Sequence, residues 1–332
     1  MLALVFAPAL FAQERAPRRP VHTFSIVAVD SATGQIGVAV QSHWFSVGGT
    51  VSWAEPGVGA VATQSFINPA YGPRGLALMR TGVGAPLALR ALLAADPDSA
   101  VRQVGMIDAQ GHSASHSGTR DIPEAGSQVG RWYAAQANIM RRNTVWGAMG
   151  RAFESARGDL ADRLLAALDA AQREGGDIRG RQSAAIIVVS GDRTRPPWER
   201  IFDLRVEDSP DPINELRRLV HVARAYRLAT QGDDYMTVGR VDSALVAYAA
   251  AEAVLPDSAV NGELVYWHAV TLADQRRVDE SLPLFRRAFA QDTAWATLLW
   301  RLPKVGLLSA DSATIARIVR EASPPATPRS RR

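Results

Sequence analysis

The sequence predicts an α+β protein, with antiparallel sheets layered against helices and an all-α repeat region behind them. Three observations carry this. Apolar runs of strand length arrive in hairpin pairs. The amphipathic segments are grouped instead of alternating one by one with strands. Beyond about Asp211 the strand pattern stops and an internal repeat begins.

In chain order, "TFSIVAVD" and "QIGVAVQS" read as two strands joined by "SATG", where Gly34 supplies the turn. "GVGAVATQSF" (Gly57–Phe66) is expected as the third strand. Its small residues suit close approach of another backbone or a ligand. "NPAYGPRG" (Asn68–Gly75) reads as a loop, followed by helices in "LALMRTG" and "APLALRALLAAD" that part at Gly82–Gly84. "VRQVGMIDAQGHSASHSG" is a second hairpin turning at "DAQG", and "GRWYAAQANIM" is one further strand. "NTVWGAMGRAFESARG" and "DLADRLLAALDAAQREGG" are helices with Asn143 and Asp159 as N-caps and glycines at their ends. "QSAAIIVVSG" is a buried strand and "IFDLRVED" the last one.

In the repeat region Gly232, Tyr235, Gly239, Ala244, Tyr248, Ala251 and Pro256 mark one unit. Ala269, Leu272, Arg276, Ser281, Phe285 and Ala288 mark a second, with Ser281 placed 37 residues after Ala244. The pattern resembles a tetratricopeptide repeat with a three-residue insertion and a degenerate second copy. Each helical hairpin buries one face against its neighbour, so a short array needs a cap or a partner surface. The composition of the final "SPPATPRSRR" leads to an expectation of disorder.

The net charge resides at the ends. Of the net charge of +4 over 332 residues, Gln13–His22 carries +2 and Glu321–Arg332 carries +2, so the intervening body is neutral. A neutral body offers no footprint for a phosphate backbone, and no nucleic-acid partner is expected. There is no cysteine, which removes disulfides, thiolate metal sites and cysteine nucleophiles. Lys304 is the only lysine, so a lysine base is not at hand in the first domain.

The opening "MLALVFAPALFA" is apolar and ends in a small residue. It reads as an export leader cut after Ala12, placing the protein in the periplasm or outside the cell; a non-functional leader would leave it cytoplasmic. The run is too short to span a bilayer, and no membrane span is expected. The resulting division is a leader at 1–12, a basic linker at 13–22, a first domain at 23–210, helical repeats at 211–320 and a tail at 321–332.

For chemistry, Thr23 has two readings: a β-branched residue opening a strand, or a nucleophile. A threonine hydroxyl needs a base. The α-amine of the same residue can serve when that residue is first in the chain, since its ordinary pKa lies near 7.7–8.0. Ser42 and His43 end the strand expected to pair with the start of the first, either as helpers or as strand-end polar residues. Asn68 is an oxyanion donor or a turn cap, and Arg74 a carboxylate clamp or a helix-start arginine. "GGDIRGRQS" concentrates Asp177, Arg179, Arg181, Gln182 and Ser183, as an anion-binding loop or an Asp–Arg clamp. His112 and His116 would share a strand face about 13 Å apart, too far for one metal. No metal or cofactor is expected.

"HTFSIVAVDSATGQIGVAVQS", "GVGAVATQSFINPAYGPRGLALM", "VRQVGMIDAQG", "QANIM", "GGDIRGRQSAAIIVV" and "FDLRVEDSPDPINELRRL" together resemble the domain-of-unknown-function family 1028, from about Thr23 to Val220. The resemblance implies the N-terminal nucleophile hydrolase-like fold, an αββα sandwich. It also implies that Thr23 is the family's leading threonine; Asn68 and Ser42, read from their own positions, are its candidate catalytic companions. Gln64, Tyr71, Arg74, Asp177, Arg179 and Gln182 would then line a site for a small amide or peptide substrate. The alternative is a non-catalytic scaffold whose repeats bind a protein or peptide partner, or hold a homo-oligomer together. Residues 13–22 set a condition on the catalytic reading: the His22–Thr23 bond must be cut before Thr23 has a free amine.

Overall fold

The computed structural model describes residues 23–324. The leader, the basic linker and the end of the tail lie outside the described residues. The chain divides into two compact units, with the boundary after Arg217.

The first unit opens with β1 (Thr23–Val29) and β2 (Ile36–Ser42), followed by the short helix α1 (Gly48–Val51) and then β3 (Ser52–Glu55) and β4 (Gly59–Ser65). Helices α2 (Tyr71–Arg80) and α3 (Ala85–Ala94) precede strands β5 (Arg102–Asp108), β6 (Ser113–Ser117), β7 (Gly126–Gly130) and β8 (Tyr133–Ala137). Helices α4 (Val145–Ser155) and α5 (Leu160–Arg173) lead to β9 (Ser183–Val189) and β10 (Phe202–Val206). A six-stranded sheet runs β10-β9-β2-β1-β8-β7 and a four-stranded sheet runs β3-β4-β5-β6. All the strand pairs are antiparallel. Helices α2 and α3 cover the smaller sheet, α4 and α5 cover the larger, and the two sheets pack face to face.

Strand alternation divides the residues between these layers. Val27, Val29, Val38, Val40, Ile187 and Val189 point between the sheets, where Ala54, Ala60, Ala62 and Ile107 meet them. The opposite face of the smaller sheet sets Val61, Val104 and Met106 against Leu76, Met79 and Leu89. On α5, Leu160, Leu164, Leu165 and Leu168 are all buried; burying each contributes about 1.5–3 kcal/mol. Asp159 caps that helix by accepting the Asp162 N–H at 3.0 Å.

The structure corrects several local expectations. Tyr71 to Gly75 belong to α2 and not to a loop, because Pro73 is tolerated in a first turn whose amides have no intrahelical partner. Strand β3 lies before the expected third strand, and β7 pairs with β8 where one strand was read. Both are short, and β7 is only half buried, so neither has a strong alternation signal. Thr144 and not Asn143 stands at the N-cap of α4, and its hydroxyl donates to Glu174 Oε2 at 2.6 Å instead of capping. His112 lies in the turn before β6, with Nδ1 3.1 Å from Asp108 Oδ2, while His116 lies in the strand with Nε2 2.8 Å from the Ser99 carbonyl.

Helix α6 (Pro212–Thr237) crosses the unit boundary. The second unit continues with α7 (Val241–Val254), α8 (Glu263–Asp274), α9 (Val278–Gln291), α10 (Ala294–Leu299) and α11 (Ser312–Ala322). The last of these carries the helix two residues into the segment read as tail. The described residues of this unit contain no strand. Helices α7 and α9 are each 14 residues long and start 37 residues apart, at Val241 and Val278. Gly239 and Arg276, at the same offset, both take left-handed backbone, with φ of 74° and 62°. They end the preceding helices in the same way, although glycine does so without steric cost and arginine does not. Ala244, Tyr248, Ala251, Ala269, Leu272, Ser281, Phe285 and Ala288 are all buried, so the repeat positions form the packing faces.

Gly232 is explained by close approach, since a β-carbon there would lie 2.5 Å from the Tyr248 ring. Gly232→Val is expected to lower the stability of this unit by about 1–3 kcal/mol, read as a fall in Tm. Among the described residues no helix is long and apolar enough to cross a membrane.

Candidate functional site

The interior between the two sheets changes character along its length. At one end it is the valine and isoleucine core. At the other, where β1 starts, the same inward-facing positions are polar: Thr23 and Ser25 on β1, Ser42 on β2, Ser183 on β9, Gln64 on β4, Gln103 on β5, and Gln136 and Asn138 on and after β8. Each of these is at most 1% exposed. Burying amides and hydroxyls is costly unless they are hydrogen-bonded, and most of these groups bond to one another or to backbone.

Antiparallel register sets Thr23 opposite Ser42, and Ser42 opposite Ser183. Thr23 Oγ1 donates to Ser42 Oγ at 3.3 Å. The Thr23 carbonyl accepts from the Asn138 backbone N–H at 3.1 Å and from Gln64 Nε2 at 3.2 Å. Ser25 Oγ donates to Gln64 Oε1, and Gln136 Nε2 donates to Ser25 Oγ, both at 2.6 Å. Gln103 is the hub. Its Oε1 accepts from Gln64 Nε2 at 2.6 Å and Asn138 Nδ2 at 2.8 Å, while its amide donates to Ser117 Oγ at 2.7 Å and the Ala137 carbonyl at 2.9 Å. Asn138 Oδ1 and Gln136 Oε1 are buried acceptors that find no partner among the described residues.

Two strained residues flank this layer. Ser65, directly after Gln64, has φ of 67°, and Ile139, directly after Asn138, has φ of 54°. Left-handed backbone is costly for a β-branched residue, and such outliers concentrate where a site requires them.

Gln64, expected among substrate-binding residues, therefore meets Thr23 and Ser42 in one network. Asp177, Arg179 and Gln182 gather beside Ser42. The Gln182 N–H donates to the Ser42 carbonyl at 3.1 Å, and the His43 N–H donates to Asp177 Oδ2 at 3.2 Å. Asp177 is 1% exposed and is gripped by Arg179 through its backbone N–H at 2.9 Å, Nε at 3.1 Å and the terminal guanidinium at 2.7 Å. This is the geometry of an Asp–Arg clamp.

Asn68, Tyr71 and Arg74 are set elsewhere. They line a cavity of about 160 Å³ with Asp96. Asn68 Oδ1 accepts the Ala70 N–H at 3.1 Å, which makes it a turn cap at the start of α2. Tyr71 donates to Asp96 Oδ2 at 3.0 Å. Burial, followed by that carboxylate, raises the Tyr71 pKa and keeps the phenol protonated. Burial alone would raise Asp96, but the Arg102 guanidinium at 2.8 Å, the Asp98 N–H and the Tyr71 hydroxyl together hold it below the ordinary carboxylate value.

Sequence reasoning missed Ser25, Gln103, Gln136 and Asn138. The signal was present as polar residues at inward positions of otherwise apolar strands. It also missed Asp121, which accepts from Ser65 Oγ at 2.7 Å and from the Gly118 N–H at 2.9 Å. Burial pushes its carboxyl up to about 6, against the opposing pull of those two donors and His116. A carboxyl raised in the folded state stabilises the fold at low pH. Its contribution is complete below about pH 4, the ordinary aspartate value, and is lost as pH rises through about 6. Asp121→Asn keeps an acceptor for Ser65 and is expected to flatten stability between pH 4 and 6, by at most about 3 kcal/mol, as measured by chemical denaturation across that range.

No curated protein matches the chain in sequence. A similar solved structure is the crystal structure of protein SPO2555 from Silicibacter pomeroyi, assigned to DUF1028. It is 32% identical, with a TM-score of 0.54, over 66% of this chain and 94% of that one. Residues 23–216, from the polar start of β1 into helix α6, match the family of unknown function DUF1028, and the chain belongs to that family.

Proposed function

We propose that the first unit is an N-terminal nucleophile hydrolase-like αββα sandwich and that it hydrolyses an amide bond through Thr23. The observation that carries this reading is the Thr23 hydroxyl, buried against Ser42 in a polar layer at the start of β1. The antiparallel sheets between helix layers and the strained residues beside the layer support it. Most of the groups fixing Thr23 and its network are neutral amides and hydroxyls, and these are poor bases at pH 7. An α-amine on Thr23 would be that base.

Thr23 Oγ1 then attacks the amide carbonyl carbon while its proton passes to the α-amine. The C–N bond breaks as that proton is delivered to the leaving amine. Water cleaves the resulting threonyl ester and regenerates the hydroxyl. The buried acceptor Asn138 Oδ1 is the kind of partner that an amine N–H requires. Ser42 orients the hydroxyl, and Gln64 together with Asn138 holds the Thr23 backbone.

The reading includes export, with the leader removed and the His22–Thr23 bond subsequently cut. It also includes a tetratricopeptide-like second unit, supported by the 37-residue offset of α7 and α9 and the matched left-handed residues Gly239 and Arg276.

Intact mass and N-terminal sequencing of the natively produced protein test the mechanism. Thr23 as the first residue is the expected result. A mature chain that still begins upstream of Thr23 removes the amine base and with it the mechanism.

A further inference from the structure

The second unit holds a cavity of about 360 Å³ whose walls include Tyr226, Asp233, Tyr248, Glu263, Trp267 and Leu307. No arginine, lysine or histidine lines it. The tyrosines are tied to the acids: Tyr226 donates to Glu263 Oε2, and Tyr248 donates to Asp233 Oδ1 at 2.7 Å. Burial followed by the carboxylate partner pushes Tyr226 up to about 12, so this phenol stays a donor and the acid stays the acceptor. Glu263 Oε1 and Asp233 Oδ2 lie outside those two bonds. The basic side chain packed against this wall is His268, whose ring centroid lies 5.7 Å from that of Tyr248, and its Nδ1 is bonded to Glu252 Oε1 at 2.6 Å.

The wall therefore combines aromatic rings, two carboxylates and apolar surface, with no cation of its own. Ring faces attract organic cations, and the attraction grows when the group is desolvated. Carboxylate oxygens form short charge-assisted hydrogen bonds to N–H donors. We propose that this cavity binds an organic cation, an ammonium or guanidinium group on an apolar stem, as in a lysine or arginine side chain. The stem would lie against Leu264 and Leu307, and the charged head between the rings and the two carboxylates. The site belongs wholly to the helical unit and does not depend on the Thr23 chemistry.

Calorimetric titration of the full chain tests this. The probes are N-acetyl-lysine amide and N-acetyl-arginine amide, beside their neutral counterparts, the norleucine and citrulline amides. At least one cation is expected to bind about tenfold or more tightly than its neutral counterpart, from a cation–aromatic and ion-pair contribution of that size. The double variant Asp233→Asn, Glu263→Gln keeps an acceptor oxygen for each tyrosine and should retain its circular dichroism. It is expected to lose that preference. Equal binding of cation and counterpart, absence of binding, or an unchanged preference in the double variant would overturn the assignment.

Discussion

Thr23→Ala is expected to abolish amide hydrolysis, lowering turnover by about 10⁴-fold or more, the scale on which loss of a nucleophile acts. Thr23→Ser should retain turnover to within about tenfold, because it keeps the attacking oxygen and loses only a methyl group. The fold should survive both changes. Thr23 pairs through its backbone with Ser42, and the Gln64 and Asn138 bonds reach its carbonyl, which alanine also supplies. The loss of a buried hydroxyl and methyl costs about 1–2 kcal/mol, visible in Tm but not enough to unfold a typical domain. Ser42→Ala removes the acceptor facing the Thr23 hydroxyl and should cost far less than Thr23→Ala. Turnover measured on an amide panel decides the matter. Undiminished hydrolysis by Thr23→Ala would place the active site elsewhere.

Gln103→Leu carries the largest expected effect on stability. The side chain is fully buried, and the substitution preserves its approximate size while removing every polar atom. Gln64 Nε2 and Asn138 Nδ2 lose their shared acceptor, while Ser117 Oγ and the Ala137 carbonyl lose a donor. A buried group left unpaired costs about 1–3 kcal/mol, so the combined loss is on the order of 4 kcal/mol. Chemical denaturation should show a reduced midpoint with little change in slope. A loss below about 1 kcal/mol would mean that the polar layer is not held together by this residue. Turnover should also fall, since Gln64, which Gln103 holds, is one of the two groups that fix the Thr23 carbonyl.

The large elements were legible because alternation and helical periodicity extend over enough residues to stand out. β1, β2, β9 and α5 follow directly from apolar spacing and turn or cap residues. The short strands β3 and β7 escaped because four or five residues carry too little pattern. Tyr71–Gly75 escaped because glycine and proline suppress helix propensity, which packing of Tyr71, Gly72 and Gly75 into the unit overrides.

Thr23, Ser42 and Gln64 were nameable from sequence, but their meeting was not. Thr23 and Ser42 are 19 residues apart, and Gln64 lies in the opposite sheet. Only sheet packing decides that Ser25, Gln103, Gln136 and Asn138 share one interior, and only burial moves Asp121 toward neutrality. The sequence by itself determined the main strand and helix runs and the 37-residue spacing of α7 and α9, because these depend on neighbours along the chain, while Thr23 became a candidate nucleophile through the family resemblance. The tertiary structure decided which polar residues face one another and that Asn68, Tyr71 and Arg74 form a separate cavity. Hydrogen bonding and desolvation depend on distances through space, and linear spacing does not encode them.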